Sequence, residues 1–552
     1  MLKSMSCLGF RIRTEVVAAL AGVSAVGLGG QPASAQFDAN DVIRLNRSNP
    51  IITRNMFPID RQSSDGANID GPSMIRIPSF VSNDQRANSN ARYYLYFGHH
   101  DGDYIRMAWS ASPAGPFTLF RADANVGDRG VMDNNNTHIQ LDEGIEIRRN
   151  HIASPDVHVD EANDRFILYF HSGSPYRFNG RDINSQRTWV NTSDDGLFFR
   201  RRDTRPVQLG PSYFKVFENR NTLYAVHNDG GPNRARSFTN PWDPTPNYYD
   251  GDSLPSLWEG RNAGNLLRNA VPEDDRRVRH SGVRTVGNNL QLFYSIRGDS
   301  PERIFVSNIS LTADWNDWTV TIPGNELLRA VGGWEGGERT PSPSVGGAAT
   351  NVNQLRDPDV FQDDDGSLYL YYSGQGEEAL GVAALESARQ RITVAGATHD
   401  AETRRGSDSD RNFRSNTIMT VANGAGDSTS RRRGYFGFPA PGGGTVHAAV
   451  LRLYLPNNEV GSLDIYGTTS FNEATITANN QPSNTTPRLN RVPLGTPGFY
   501  ELDVTDYVNS NRNGNINFFV RNTSTTSAVQ ILTSENGNAS RRPQLKWMQR
   551  GR

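Results

Sequence analysis

RDPDVFQDDDGSLYLYYSG, residues 356–374, reads as a short strand, a polar turn and a second strand rich in aromatics. The same second strand returns four more times upstream, as ARYYLYFGHH (91–100), DRFILYFHS (164–172), NTLYAVHND (221–229) and NNLQLFYSI (288–296). Each has a partner strand before it: PSMIRIPSF (72–80), SPDVHVDE (154–161), PSYFKVFE (211–218), SGVRTVGN (281–288) and DPDVFQDD (357–364). A hairpin recurring at a near-constant period predicts a radial β architecture, because one blade cannot bury both of its faces alone. Five copies predict a five-bladed β-propeller over 36–386, with the strand ends facing a central funnel. A strand within VIRLNRSNPIITR (42–54) is placed to close the last blade. The polar insertions at 113–150 and 238–279 read as loops over one mouth.

Outward from the repeat, the first 35 residues are not part of the fold. Lys3, Arg11 and Arg13 precede the apolar run 16–30, and Ala33-Ser34-Ala35 fits a small-residue cleavage site. This is the pattern of a secretory signal peptide, so a secreted or periplasmic bacterial protein is expected. The single cysteine, Cys7, lies inside that segment, which leaves no disulfides or thiolate sites downstream. A net charge of −2 argues against nucleic acid as a partner, and only Lys3, Lys215 and Lys546 among 57 basic residues are lysine. Arginine suits bidentate recognition of carboxylate or sulfate, which points to an anionic polymer. No membrane partner is indicated, and a monomer is expected.

Beyond 386 the texture changes. Residues 387–432 read as linker and start of a C-terminal module, and 433–552 as an all-β, jelly-roll-like sandwich. RRRGYFGFP (431–439), VHAAVLRLYL (446–455), FNEATITANNQP (471–482), YELDVTDYV (500–508), INFFVRN (516–522) and SRRPQLKW (540–547) resemble, in order, the DNRLRE-type module, carbohydrate-binding module family 96. The resemblance implies a non-catalytic module that tethers an enzyme to polysaccharide.

Chemistry-bearing residues gather at the strand ends. Eight of ten histidines fall between positions 99 and 280, among them His100, His151, His171 and His280. Asp70, Asp156, Asp357 and Asp359 open blades one, two and five. Hydrolysis of a glycosidic bond needs an acid for the leaving oxygen and a base for water. SPDV at blade two and RDPDVFQDDDGSLYLYYSG at blade five are similar to motifs of the five-bladed glycosidases of the glycoside hydrolase family 43-like group. That resemblance implies Asp70 as base and Asp156 as the residue tuning the acid. The family's acid, a blade-three glutamate, has only Glu218 near its place, so Glu259, Glu335 and Glu338 on loops are its substitutes, with Glu335 taken as catalytic. A second chemistry also fits: His151, His171 and Tyr213 with Arg234 or Arg236 resemble the His/His/Tyr/Arg sites of ulvan-type polysaccharide lyases, which act by β-elimination on uronates. A glycan-binding protein without catalysis is the third reading. His100, Arg236, His280, Arg356 and Asp357 are expected to bind substrate. No cofactor is required and no metal motif is present; a structural calcium or other divalent ion is left open by the acidic loops 38–42, 142–146 and 363–366.

Overall fold

The computed structural model describes residues 36–551 except 126–127, 134–145, 148–150, 173–175, 179–180, 184–185, 200–206, 228–229, 236–247, 250–254, 257, 270–276, 425–429 and 525–526. Residues 1–35, expected to be a signal peptide, and Arg236 therefore lie outside the described residues.

Among the described residues five antiparallel sheets, each with a run of four neighbouring strands, follow one another along the chain, and blades one and five add a fifth short strand, Met132–Asp133 and Ile52–Thr53. Blade one is Asp70–Arg76, Tyr93–Gly98, Tyr104–Ser110 and Thr118–Leu119; blade two is Ile152–Asp160, Arg165–Ser172, Arg187–Ser193 and Val207–Pro211. Blade three is Lys215–Asn219, Thr222–His227, Gly230–Ala235 and Trp258–Gly260; blade four is Arg277–Val286, Asn289–Arg297, Ile304–Ser310 and Asn325–Leu328. Blade five has three consecutive strands, Arg356–Gln362, Leu368–Gly374 and Ala379–Leu385, and takes its fourth from the N-terminal side. Val42–Arg44 pairs with it in the register Val42↔Leu385, which closes the ring. The chain is thus an all-β five-bladed propeller followed by a sandwich.

The aromatic second strands are continuous apolar runs because neighbouring blades cover both of their faces. In blade one every residue of Tyr93–Gly98 is buried. Trp189 and Trp258 are wedged inside blades two and three, at 0% and 1% exposure, and so are not free to stack on sugars. Each large apolar side chain buried in this way contributes roughly 2 kcal/mol.

The stretch 387–432, expected as linker and module start, already carries three sandwich strands: Gln390–Gly396, His399–Arg404 and Ile418–Ala422. One sheet runs Gln390–Gly396, Gln544–Arg550, Val446–Leu455 and Gly498–Asp503; the other is centred on Ser462–Gly467, Ile516–Asn522 and Arg432–Phe438. Between them Leu451, Leu453, Ile465, Phe518, Val520 and Trp547 form the core. The blade-closing strand also faces the sandwich, since Ile43 and Ala384 pack with Ile392, Val450 and Met548. One short strand therefore seals the ring and seats the second unit.

Candidate functional site

Every blade opens towards the axis with one residue in the left-handed conformation: Gly71 (φ 55°), Ser154 (50°), Tyr213 (67°), His280 (29°) and Asp357 (50°). In blades one, two, four and five the ladder also slips there by a bulge. A bulge inserts an unpaired residue and turns the strand. The result is a funnel mouth built from one equivalent position of each blade, together with the ends of the second strands.

One layer deeper, side chains stitch the blades together. Ser73 Oγ accepts from the Val157 amide at 2.9 Å, Asp156 Oδ2 from the Val216 amide at 2.8 Å, and Asp359 Oδ2 from the Met74 amide at 3.0 Å. Lys215 stands between the acids, 3.4 Å from Asp156 Oδ1 and 3.8 Å from Asp359 Oδ1. Burial alone would raise Asp156, but the His158 and Lys215 charges outweigh it and bring its pKa down to about 2. At Asp359 burial prevails over Lys215 and the pKa is pushed up to about 6. Asp156 belongs to this sealing layer, its charge committed to Lys215, His158 and the Val216 amide. This corrects its expected place at the mouth.

At the mouth, Asp70 is 3% exposed. Burial, reinforced by the charges of Glu377 and Asp357, raises its pKa well above the usual carboxylate range. His100 Nδ1 is 3.5 Å from Glu377 Oε1 and 3.9 Å from Asp70 Oδ2. Burial disfavours its charge, yet the hydrogen bond and charge of Glu377 and the charge of Asp70 lift it to about 9. Four rings then form a ladder across the funnel. His151 and His171 meet through their Nε2 atoms at 2.6 Å. His171 lies 4.2 Å from the Tyr213 ring, and Tyr213 4.6 Å from the His280 ring, centroid to centroid. His280 Nδ1 is bound to Asp357 Oδ1. Burial holds both His151 and His171 below the usual histidine value, which favours the uncharged imidazole at each. Burial would raise Asp357, but His280, Arg279 and Arg356 hold it well below the carboxylate range. Asp70 Oδ1 and His171 Nδ1 have no hydrogen-bond partner among the described residues, a state native proteins usually keep for groups with a task.

Asp70, His100, His151, His171, Tyr213, His280 and Asp357 thus come together as the strand ends predict. Others do not. Glu335, expected as a substitute acid, is fully buried and clamped by Arg44, whose Nε and NH2 reach its two oxygens at 2.7 and 2.8 Å. Tyr372 OH and the Val331 amide donate to it as well, so Glu335 is a structural anchor. Arg356, expected to bind substrate, has no exposed surface and is consumed by Glu302 at 3.1 Å and Glu377 at 2.8 Å. Arg234 and Glu259 pair with each other on outer strands of blade three, with Arg234 over the Trp315 ring. Glu218 is exposed in the strand Lys215–Asn219, and Tyr213 is what blade three presents to the funnel. Glu377 and Arg297 were missed: GQGEEA (374–379) looks like any polar turn, and Arg297 ends its strand without a motif.

Asp70, His100 and Glu377 offer ligand atoms within 4.8 Å of one another, as do Asp400, Glu473 and Glu535 in the sandwich. In the first trio Glu377 is also paired with Arg356, and Arg279 lies 3.7 Å from it.

Residues 392–548 match the family model described as Carbohydrate-binding module family 96. A curated relative, "Uncharacterized protein R118" of Acanthamoeba polyphaga mimivirus, is 29% identical over 322 residues, covering 58% of this chain and 83% of its own. Among solved structures, the exo-β-1,3-galactanase of Phanerochaete chrysosporium aligns at 8% identity and TM-score 0.38, over 88% of this chain and 97% of its own. The GH43 BlXynB protein of Bacillus licheniformis aligns at 9% identity and TM-score 0.32, over 91% and 99%. None of these structural scores reaches 0.5, and the chemistry rests on this chain's own side chains.

Proposed function

We propose that the chain is a secreted carbohydrate-active enzyme that hydrolyses glycosidic bonds in an anionic polysaccharide, with the sandwich holding the polymer near the funnel. The observation that carries this reading is the pairing at the mouth of a shielded carboxyl, Asp70, with an imidazole backed by a buried carboxylate, His280 on Asp357. Asp70, whose pKa is raised by burial and by the nearby charges of Glu377 and Asp357, gives its proton to the departing glycosidic oxygen. Water loses a proton to His280 Nε2 as its oxygen bonds to the anomeric carbon, and the C–O bond to the leaving sugar breaks. Asp357 holds the Nδ1–H tautomer and steadies the imidazolium that forms. The Tyr213 ring, tilted 37° to the imidazole with centroids 4.6 Å apart, packs against it. In this account Asp70 is the acid, whereas its sequence motif suggested the base. The sandwich contributes affinity by raising the effective concentration of polymer at the mouth.

A second reading, β-elimination on a uronate, is favoured by one observation: two buried imidazoles in contact, His151 and His171, with the Tyr213 ring tilted against the second. A digest of neutral, uronate-bearing and sulfated polysaccharides separates the two. Hydrolysis yields new reducing ends without the ultraviolet absorbance of unsaturated sugars. Unsaturated ends would replace the proposal by elimination, and no product from any polymer would leave a binding protein. For hydrolysis, Asp70→Asn lowers kcat by about 10²-fold or more.

A further inference from the structure

Beside the His280 imidazole lies a cavity of about 100 Å³, lined by His100, Tyr213, Arg277, Arg279, His280 and Arg297 with Gly346 and Gly347. That is ample room for one oxyanion, since a single water needs only about 10–15 Å³ on the same measure. Its walls carry three guanidinium groups and the imidazolium of His100. The balancing acids, Glu302 and Glu377, are fully buried behind Arg279 and Arg356 and do not line it.

The backbone register makes the arrangement unusual. Arg277 and Arg297 are direct cross-strand partners at the funnel end of blade four. Arg279, two residues further on, is fixed by donating to the Val345 and Gly347 carbonyls at 2.9 and 3.1 Å. Arg297 makes no ion pair with any described residue, and the Gly346 backbone packs close to its guanidinium, where a Cβ would sit 3.4 Å from Cζ. A half-buried arginine without a partner, beside two more, is a preformed anion receptor, since planar forked donors match carboxylate and sulfate oxygens.

We propose that this cavity is an oxyanion subsite that takes the carboxylate or sulfate group of an acidic sugar and so sets which residue of the polymer enters the funnel. The inference rests on the hydrolase reading above and deepens it. The two sources of the oxyanion are distinguished by chemical editing of one polymer that the enzyme cleaves. Its kcat/KM is compared before and after carboxyl reduction, and before and after desulfation, for the parent and for Arg297→Gln. The edit that removes the bound group lowers the parent's kcat/KM tenfold or more, mainly through KM. Arg297→Gln loses that preference and cleaves the charged and the neutralised polymer with the same kcat/KM. Equal cleavage of charged and neutralised polymer, or a preference that survives in Arg297→Gln, overturns the subsite.

A direct binding measurement keeps the subsite separate from the reaction. Sodium sulfate at constant ionic strength raises the melting temperature of the parent and not of Arg297→Gln. Identical shifts in both proteins, or none in either, refute the subsite whatever the catalytic outcome. A sulfate shift that depends on Arg297, in a protein that cleaves nothing, retains the subsite and rejects the hydrolase.

Discussion

Glu335 offers the sharpest test, because sequence motif and structure give it opposite jobs. Its carboxylate is held in a bidentate pair by Arg44, which also reaches Glu501 of the sandwich at 2.9 Å and the Arg329 carbonyl at 2.6 Å. Arg44 is 3% exposed and Glu335 0%. Replacing Arg44 by methionine leaves two carboxylates in the interior, Glu335 with only neutral donors and Glu501 with Arg452 at 3.4 Å. Breaking a buried pair from one side costs about 3–5 kcal/mol, and the loss should fall on the seam between the units. Glu335→Gln removes the charge but keeps an acceptor for Tyr372 and Val331, so the double variant is at least about 1 kcal/mol more stable than the two single losses predict by addition. Calorimetry on the full chain, with urea unfolding followed by tryptophan fluorescence, reads both effects. Folded Glu335→Gln should keep kcat within about twofold. A folded Glu335→Gln with kcat down by about 10²-fold would restore it as a catalytic acid, and an Arg44→Met loss below about 1 kcal/mol would refute the anchor.

Lys215→Met removes the cation shared by Asp156 and Asp359 and should lower stability by about 3–5 kcal/mol at neutral pH, with much of the loss recovered by adding Asp359→Asn; equilibrium unfolding checks this. The His100 cluster sets a pH dependence of definite sign. Its pKa, raised from 6.5 to about 9, means its ion pairs stabilise fully below 6.5 and are lost as pH rises through 9. Unfolding midpoints should therefore fall across that window in the parent and less in His100→Gln. The affinity for anionic polymer should fall over the same interval, and a flat profile would contradict the assignment.

The ring was legible because burial on both faces writes itself into composition. YYLYFG and LYLYYSG admit few other environments than the space between blades, and their spacing counts the blades directly. The sandwich was legible for a similar reason: six motifs in order span the region that the carbohydrate-binding family model matches. Strand ends also gave most of the mouth, since a histidine closing an aromatic strand has few places to go but the axis. Partnership was not legible. Nothing in GGWEGGER tells that Glu335 meets Arg44, 291 residues earlier, or that Arg356 is walled in by Glu302 and Glu377. Charge pairing across blades depends on which side chains the ring closure brings together, and no local pattern records it.

The left-handed residue at each blade opening joins the fold to the chemistry. Glycine occupies it only in blade one; Ser154, Tyr213, His280 and Asp357 hold it elsewhere, where a side chain costs of order 1 kcal/mol or more apiece. Blade one shows that the turn can be made without that cost. The cost at blades three, four and five therefore falls on the three side chains that run from the ring ladder to the buried carboxylate. Had the turn alone been required, glycine would serve at all five positions. Their retention as tyrosine, histidine and aspartate is explained by what these side chains do at the mouth: they place an imidazole, its carboxylate and its stacking partner on three separate blades. Tyr213→Gly should then relieve the turn but open a gap between the His171 and His280 rings, so that some stability is lost while turnover falls by about 10²-fold in the protein that remains folded; a folded Tyr213→Gly with turnover within about twofold would mean that the ring is a packing element of the propeller.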